Sequence, residues 1–197
     1  MIKLVIFDLD GVLFDSKKYH FEALNLALND VDSKYKISYE DHLKIFDGLP
    51  TLKKLEILSK DRGLSEKKHN SIWEDKQKHT HELLDGISRN EEIFTLLKKL
   101  KDEKIKIVCA SNSISKTVNK VLEKLEIIEL FDGIISNEDV LNSKPHPEMY
   151  WKFMIDFSIM PSETLVIEDS PVGRLGASLS GAKTYFVESS KDINHEV

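Results

Sequence analysis

The stretch Lys3-Leu4-Val5-Ile6-Phe7-Asp8-Leu9-Asp10-Gly11 decides how the rest of the chain is read. Its first half is a short apolar run with β-branched residues, the pattern of a strand covered on both faces near the centre of a parallel sheet. Similar runs recur at Ile105–Ala110, Gly133–Ile135, Leu165–Ile167 and Thr184–Val187. Between them, apolar residues repeat at helical spacing. Ile93, Leu96, Leu97 and Leu100 follow the capping-box spacing of Ser88-Arg89-Asn90-Glu91. Val118, Val121, Leu122 and Leu125 form a second stripe, and Tyr150, Phe153, Met154 and Phe157 a third, with Pro147 in a first-turn position. A last helix is predicted from Ser170-Pro171 to a stop at Gly181. Alternating strands and helices predict an α/β fold, a doubly wound Rossmann-like parallel sheet with right-handed crossovers.

Residues 16–85 break that rhythm. Phe21, Leu24 and Leu28 mark one helix, and others are expected over 39–46, 51–62 and 66–84, with Ser38 and Ser65 as caps and Gly63 as a stop. No strand pattern interrupts them. The expected organisation is therefore an α/β core made of residues 1–15 and 86–197, with a small all-helical cap, residues 16–85, inserted after the first strand. Charge supports two units. Residues 16–85 hold 13 basic and 13 acidic residues, so the whole net charge of −6 falls on the remainder. Five of the seven histidines also lie in the insert.

Composition excludes several classes. With 197 residues, 41% hydrophobic and 31% charged, and only 8 Gly and 5 Pro, the chain is neither collagen-like nor disordered. The acidic balance argues against a duplex nucleic-acid partner. No apolar run approaches the ~20 residues that span a bilayer, and Asp8 and Asp10 come too early for a signal peptide, so a membrane partner is not expected. The single cysteine, Cys109, excludes an internal disulfide and fits a cytoplasmic setting. Monomer is the expected state.

In open α/β sheets chemistry gathers beyond the carboxyl ends of the strands. Those ends carry Asp8-Leu9-Asp10-Gly11, Ser111-Asn112-Ser113, Lys144-Pro145 and Glu168-Asp169-Ser170. Alternation in an extended segment puts Asp8 and Asp10 on one side. Four carboxylates in one crevice raise one another's pKa unless a cation sits among them. A hard divalent cation with oxygen ligands answers that, and Mg²⁺ suits a site that also takes phosphate. Ser111 and Asn112, entering a helix, read as an anion cradle. Lys144 reads as a point charge able to balance phosphate and carboxylates together.

These four segments resemble, in order and spacing, the four motifs of the haloacid dehalogenase superfamily, and the resemblance covers essentially the whole chain. The helical insert, with Phe14-Asp15-Ser16 and Tyr19-His20-Phe21, is similar to the small cap of the subgroup holding β-phosphoglucomutases and many small-molecule phosphatases. The resemblance implies Asp8 as the nucleophile and Asp10 as general acid and then base. It implies Mg²⁺ held by Asp8, the Asp10 carbonyl and Asp169, with Glu168 beside it. Ser111, Asn112 and Lys144 are the implied phosphate-binding residues, and the Lys144–Pro145 bond is a candidate cis peptide. In the cap, His20, Thr51 and Lys76 are candidate substrate residues. Closure is expected about Asp15-Ser16 and Asp85-Gly86. The implied activity is a Mg²⁺-dependent phosphatase acting on a small phosphorylated metabolite, a sugar phosphate first. The alternative is a phosphomutase of the β-phosphoglucomutase type, which in this family grips a second phosphate with a cap arginine. The resemblance places that arginine near Gly48-Leu49-Pro50-Thr51, where this chain has Thr51 and no arginine; the insert's single arginine is Arg62, with Lys53, Lys54 and Lys76 as candidate substitutes. Dehalogenation would leave Asp10 without a task, and a phospho-accepting receiver would have no helical insert.

Overall fold

The structure, a computed structural model, describes residues 1–193. The chain divides into two compact units, Met1–Asp15 together with the chain from Ile87 onward, and Ser16–Gly86. The first is a five-stranded sheet of β1 (Leu4–Phe7), β2 (Lys106–Ala110), β3 (Gly133–Ile135), β4 (Thr164–Glu168) and β5 (Lys183–Phe186), in the order β3-β2-β1-β4-β5. Every pairing is parallel. β1 is the central strand, with Phe7 opposite Cys109 on one side and Ile167 on the other. This is why its run has no polar break: all four residues are buried. Leu4 and Ile6, two apart, pack on one face with Val108, Ala110, Val166, Tyr150 and Phe153.

The helices of the second unit are α1 (Lys17–Val31), α2 (Tyr39–Asp41), α3 (Thr51–Arg62) and α4 (His69–Leu83), and those of the first are α5 (Glu91–Asp102), α6 (Ser115–Lys124), α7 (Glu148–Asp156) and α8 (Pro171–Leu179). Several ends follow the sequence signals. Ser170 accepts from the Gly173 N–H and Ser38 from the Asp41 N–H, and Gly63 ends α3 at φ 69°. Others do not. α5 is capped by Asn90, whose side chain accepts from the Glu92 and Ile93 N–H groups; the helix starts at Glu91, which leaves Ser88 outside the first turn. Ser65 makes no side-chain cap bond. Pro147 is the cap residue of α7, one position ahead of its first turn. The expected helix over 39–46 is α2 passing into one π turn, His42–Phe46. Among the described residues no helix is long and apolar enough to cross a membrane.

The second unit has its own core, in which Leu24 and Leu28 of α1 meet Phe46, Leu55, Leu58 and Ile72. Asn25 ties in the loop between helices: its Nδ2 donates to the Ile37 carbonyl and its Oδ1 accepts from the Ile37 N–H, both at 2.9 Å. His42 of the π turn is 1% exposed. Burial, and then the charges of Lys54, His20 and Lys17, push its pKa down to about 3. An unfolded histidine titrates near 6.5, roughly its free value. Between those values the unfolded chain binds the extra proton, so stability rises with pH. The expected outcome is that this unit loses stability as pH falls from about 6.5 towards 3. Trp73 fluorescence in a Trp151→Phe background, followed through urea unfolding, measures it, and His42→Leu should flatten the dependence across that window.

Candidate active site

Parallel pairing of β1 with β2 and β4 brings three carboxyl ends side by side. The Asp8 N–H donates to the Ile167 carbonyl, which carries the β1 backbone one residue past its strand and holds Asp8 at the carboxyl end of the sheet. Glu168 is the last residue of β4, and Asp169 is the next. Gly11 makes the turn out of β1 at φ 91°; a Cβ there would lie 2.0 Å from Asp169 Oδ2, so only glycine lets the two motifs close on each other.

Lys144 lies among these ends, 4% exposed, after a loop and before a cis bond to Pro145. Its ammonium has three protons and three acceptors: Asp8 Oδ1 at 2.7 Å, the Ala110 carbonyl at 2.7 Å and Glu168 Oε1 at 2.5 Å. Burial alone would lower its pKa, but Asp8 and Glu168 carry it well above the ordinary lysine value. Asp8 moves up as well, driven by burial and then by the Glu168 charge, with Lys144 opposing. One buried cation thus faces more negative charge than it can hold ionised.

Ser111 and Asn112 take tasks that spacing alone does not reveal. Asn112 Oδ1 accepts from the Lys144 N–H at 3.0 Å, and its Nδ2 donates to the Lys144 carbonyl at 3.2 Å. The carboxamide therefore clamps the backbone that carries the lysine. Ser111 Oγ donates to Asp10 Oδ2 at 3.3 Å and accepts from the Ser113 N–H. Ser113 Oγ donates to the same Asp10 oxygen at 2.8 Å. Ser113 was not among the candidate residues; its signal is the alternation that puts it on the same side as Ser111. Cys109 is buried on β2, and burial pushes its thiol well above the ordinary value, consistent with an inert packing residue.

Asp8, Glu168 and Asp169 each offer an oxygen within 4.8 Å of the others, all three side chains buried. Glu168 Oε2 has no hydrogen-bond partner. A hard cation fits this donor set by charge and by ligand type. Asp10 is outside the group, its carboxylate engaged by the two serine hydroxyls. In the second unit His20 Nδ1 lies 3.2 Å from Lys76 Nζ, so those two candidate residues meet. Thr51 is the first residue of α3 and half-buried, and Lys54, one turn on, is buried.

Residues 5–187 match the family model of the haloacid dehalogenase-like hydrolases. A phosphorylated carbohydrates phosphatase of Thermotoga maritima is 27% identical over 188 residues, 94% of this chain and 84% of that protein. A beta-phosphoglucomutase of Bacillus subtilis is 30% identical over 186 residues, 87% of this chain and 77% of that one. The crystal structure of a beta-phosphoglucomutase from Clostridium difficile matches with a TM-score of 0.86 at 26% identity, covering 100% of this chain and 95% of that chain. For the carboxylate group itself the expected outcome is direct: Mg²⁺ raises the thermal unfolding midpoint, by the equivalent of about 2.7 kcal/mol at a hundredfold excess over Kd. Calorimetry should find that gain reversed by EDTA and absent in Asp169→Asn.

Proposed function

The chain belongs to the haloacid dehalogenase-like hydrolases, and from that premise we propose that it is a Mg²⁺-dependent phosphatase of small phosphorylated metabolites, sugar phosphates first. The observation that carries the reading is the buried set of Asp8, Lys144, Glu168 and Asp169 at adjoining strand ends, with Asp10 held separately by two hydroxyls. Two carboxylates in different surroundings suit two different tasks.

In this reading Asp8 attacks phosphorus, a new P–O bond forms to its carboxylate, and the bond to the leaving oxygen breaks. Asp10 gives that oxygen a proton. Water then attacks the aspartyl-phosphate, Asp10 takes its proton, and inorganic phosphate leaves with Asp8 restored. Lys144 opposes the upward push on Asp8 and neutralises phosphoryl oxygens. Ser111 and Ser113 hold Asp10 in place, and Asn112 fixes the backbone of Lys144. Mg²⁺, held by Asp8 and Asp169 with Glu168 beside it, would supply charge neutralisation of the transferring group.

The relatives named beta-phosphoglucomutase favour a second reading, a phosphomutase. The insert weighs against it. Its one arginine, Arg62, donates to the Lys36 carbonyl at 2.7 Å and to Asp41 Oδ2 at 3.1 Å, a structural task within the insert. The stretch Gly48-Leu49-Pro50-Thr51, where the family resemblance places the cap arginine of the mutases, has no arginine, so a planar, bidentate phosphate ligand is missing there. The test is ³¹P NMR with Mg²⁺ and a pool of sugar 1- and 6-phosphates. The expected result is a growing inorganic phosphate peak, reduced at least about 10³-fold in rate by Asp8→Asn. Interconversion of 1- and 6-phosphates with little free phosphate would favour the mutase instead.

A further inference from the structure

The third apolar stripe contains a residue that packing does not explain. Tyr150 of α7 is fully buried among Leu4, Ile6, Val108 and Val166. Phenylalanine would fill the same space, and a buried hydroxyl is costly unless it is bonded. This one has its bond. Tyr150 Oη donates to Glu168 Oε1 at 2.7 Å, with the Gly173 carbonyl farther off at 3.4 Å.

Glu168 Oε1 accordingly receives two donors, Tyr150 Oη and Lys144 Nζ, while Oε2 has no hydrogen-bond partner. The other side of the carboxylate is bounded by Gly173, where a Cβ would lie 1.9 Å from Oε2. The group is gripped through one oxygen and given room at the other. Lys144 alone cannot set this orientation, because the same ammonium also serves Asp8 and Ala110 and must answer to phosphate when substrate is present. The tyrosine hydroxyl serves the glutamate first.

Resting on the phosphatase reading above, we infer that Tyr150 is a positioning residue. It pins Glu168 through Oε1 so that Oε2 stays available to the divalent cation or to a water upon it, and it thereby sets the cation's affinity. Partners of this kind, one bond removed from a metal, are worth about tenfold or more in affinity.

The experiment is isothermal titration of Mg²⁺ into wild type and Tyr150→Phe, without substrate. The variant keeps the ring and its packing. The expected result is a Kd about tenfold weaker. In a Glu168→Gln background, Tyr150→Phe should make no further difference, since its effect runs through the lost carboxylate. A purely structural role would lower the unfolding midpoint in EDTA and leave the Mg²⁺ Kd where it was. An unchanged Kd in Tyr150→Phe with normal binding by wild type overturns this inference alone, as does an undiminished effect in the Glu168→Gln background. Wild type that binds no Mg²⁺ overturns it together with the metal-dependent reading.

Discussion

Three protons on one buried ammonium hold the site in shape. Lys144 donates to Asp8, to Glu168 and to the Ala110 carbonyl, which belong to the ends of β1, β4 and β2. The lysine thus ties the three adjoining strand ends together. Without it, the buried carboxylates of Asp8 and Glu168 would lose the cation that balances them, a change that favours protonation or separation. Other features serve that one contact. The Asn112 carboxamide takes both backbone groups of Lys144, and Gly11 lets the first and last motifs approach. The lysine does not finish the work of neutralisation, since Asp8 is still pushed upward by burial and by Glu168. The unmet negative charge suits the divalent cation of the proposed function.

The same fold separates two carboxylates only two residues apart. Asp8 stays at the carboxyl end of the central strand against Lys144. Asp10, after Leu9, turns to the hydroxyls of Ser111 and Ser113. In the proposed function the first is the nucleophile, with a cation beside it, and the second the proton carrier, held by two hydroxyls. The strand-to-turn passage through Gly11 gives each carboxylate its own surroundings.

Much of this was legible in the sequence because it rests on local pattern. The unbroken run at Leu4–Phe7 declared a central strand, and the residues after each run marked a common edge. The shift from strand runs to helical stripes marked the insert. Where reading fell short, the deciding partner was distant along the chain. Spacing marked Asn112 as a phosphate ligand but gave no sign of its clamp on the Lys144 backbone, 32 residues away. Tyr150 looked like one more core aromatic because its stripe is apolar and Glu168 lies 18 residues on. Ser88 showed the capping-box spacing, yet the shorter reach of Asn90 to two amides captured the start of α5. The π turn at His42–Phe46 has no periodic signature, since its five residues are too few to shift a stripe.

The account stands on Asp8 as the group that receives phosphate, and trapping that species tests it most directly. Acid quenching during turnover of a ³²P-labelled sugar phosphate, followed by peptide mapping, should place a hydroxylamine-labile label on the peptide containing Asp8. The label should vanish in Asp8→Asn and decay more slowly in Asp10→Asn, where water lacks its base. Phosphate release from an active enzyme with no label on Asp8, under quench conditions that preserve acyl phosphates, would mean that water attacks the substrate directly and would contradict the central claim.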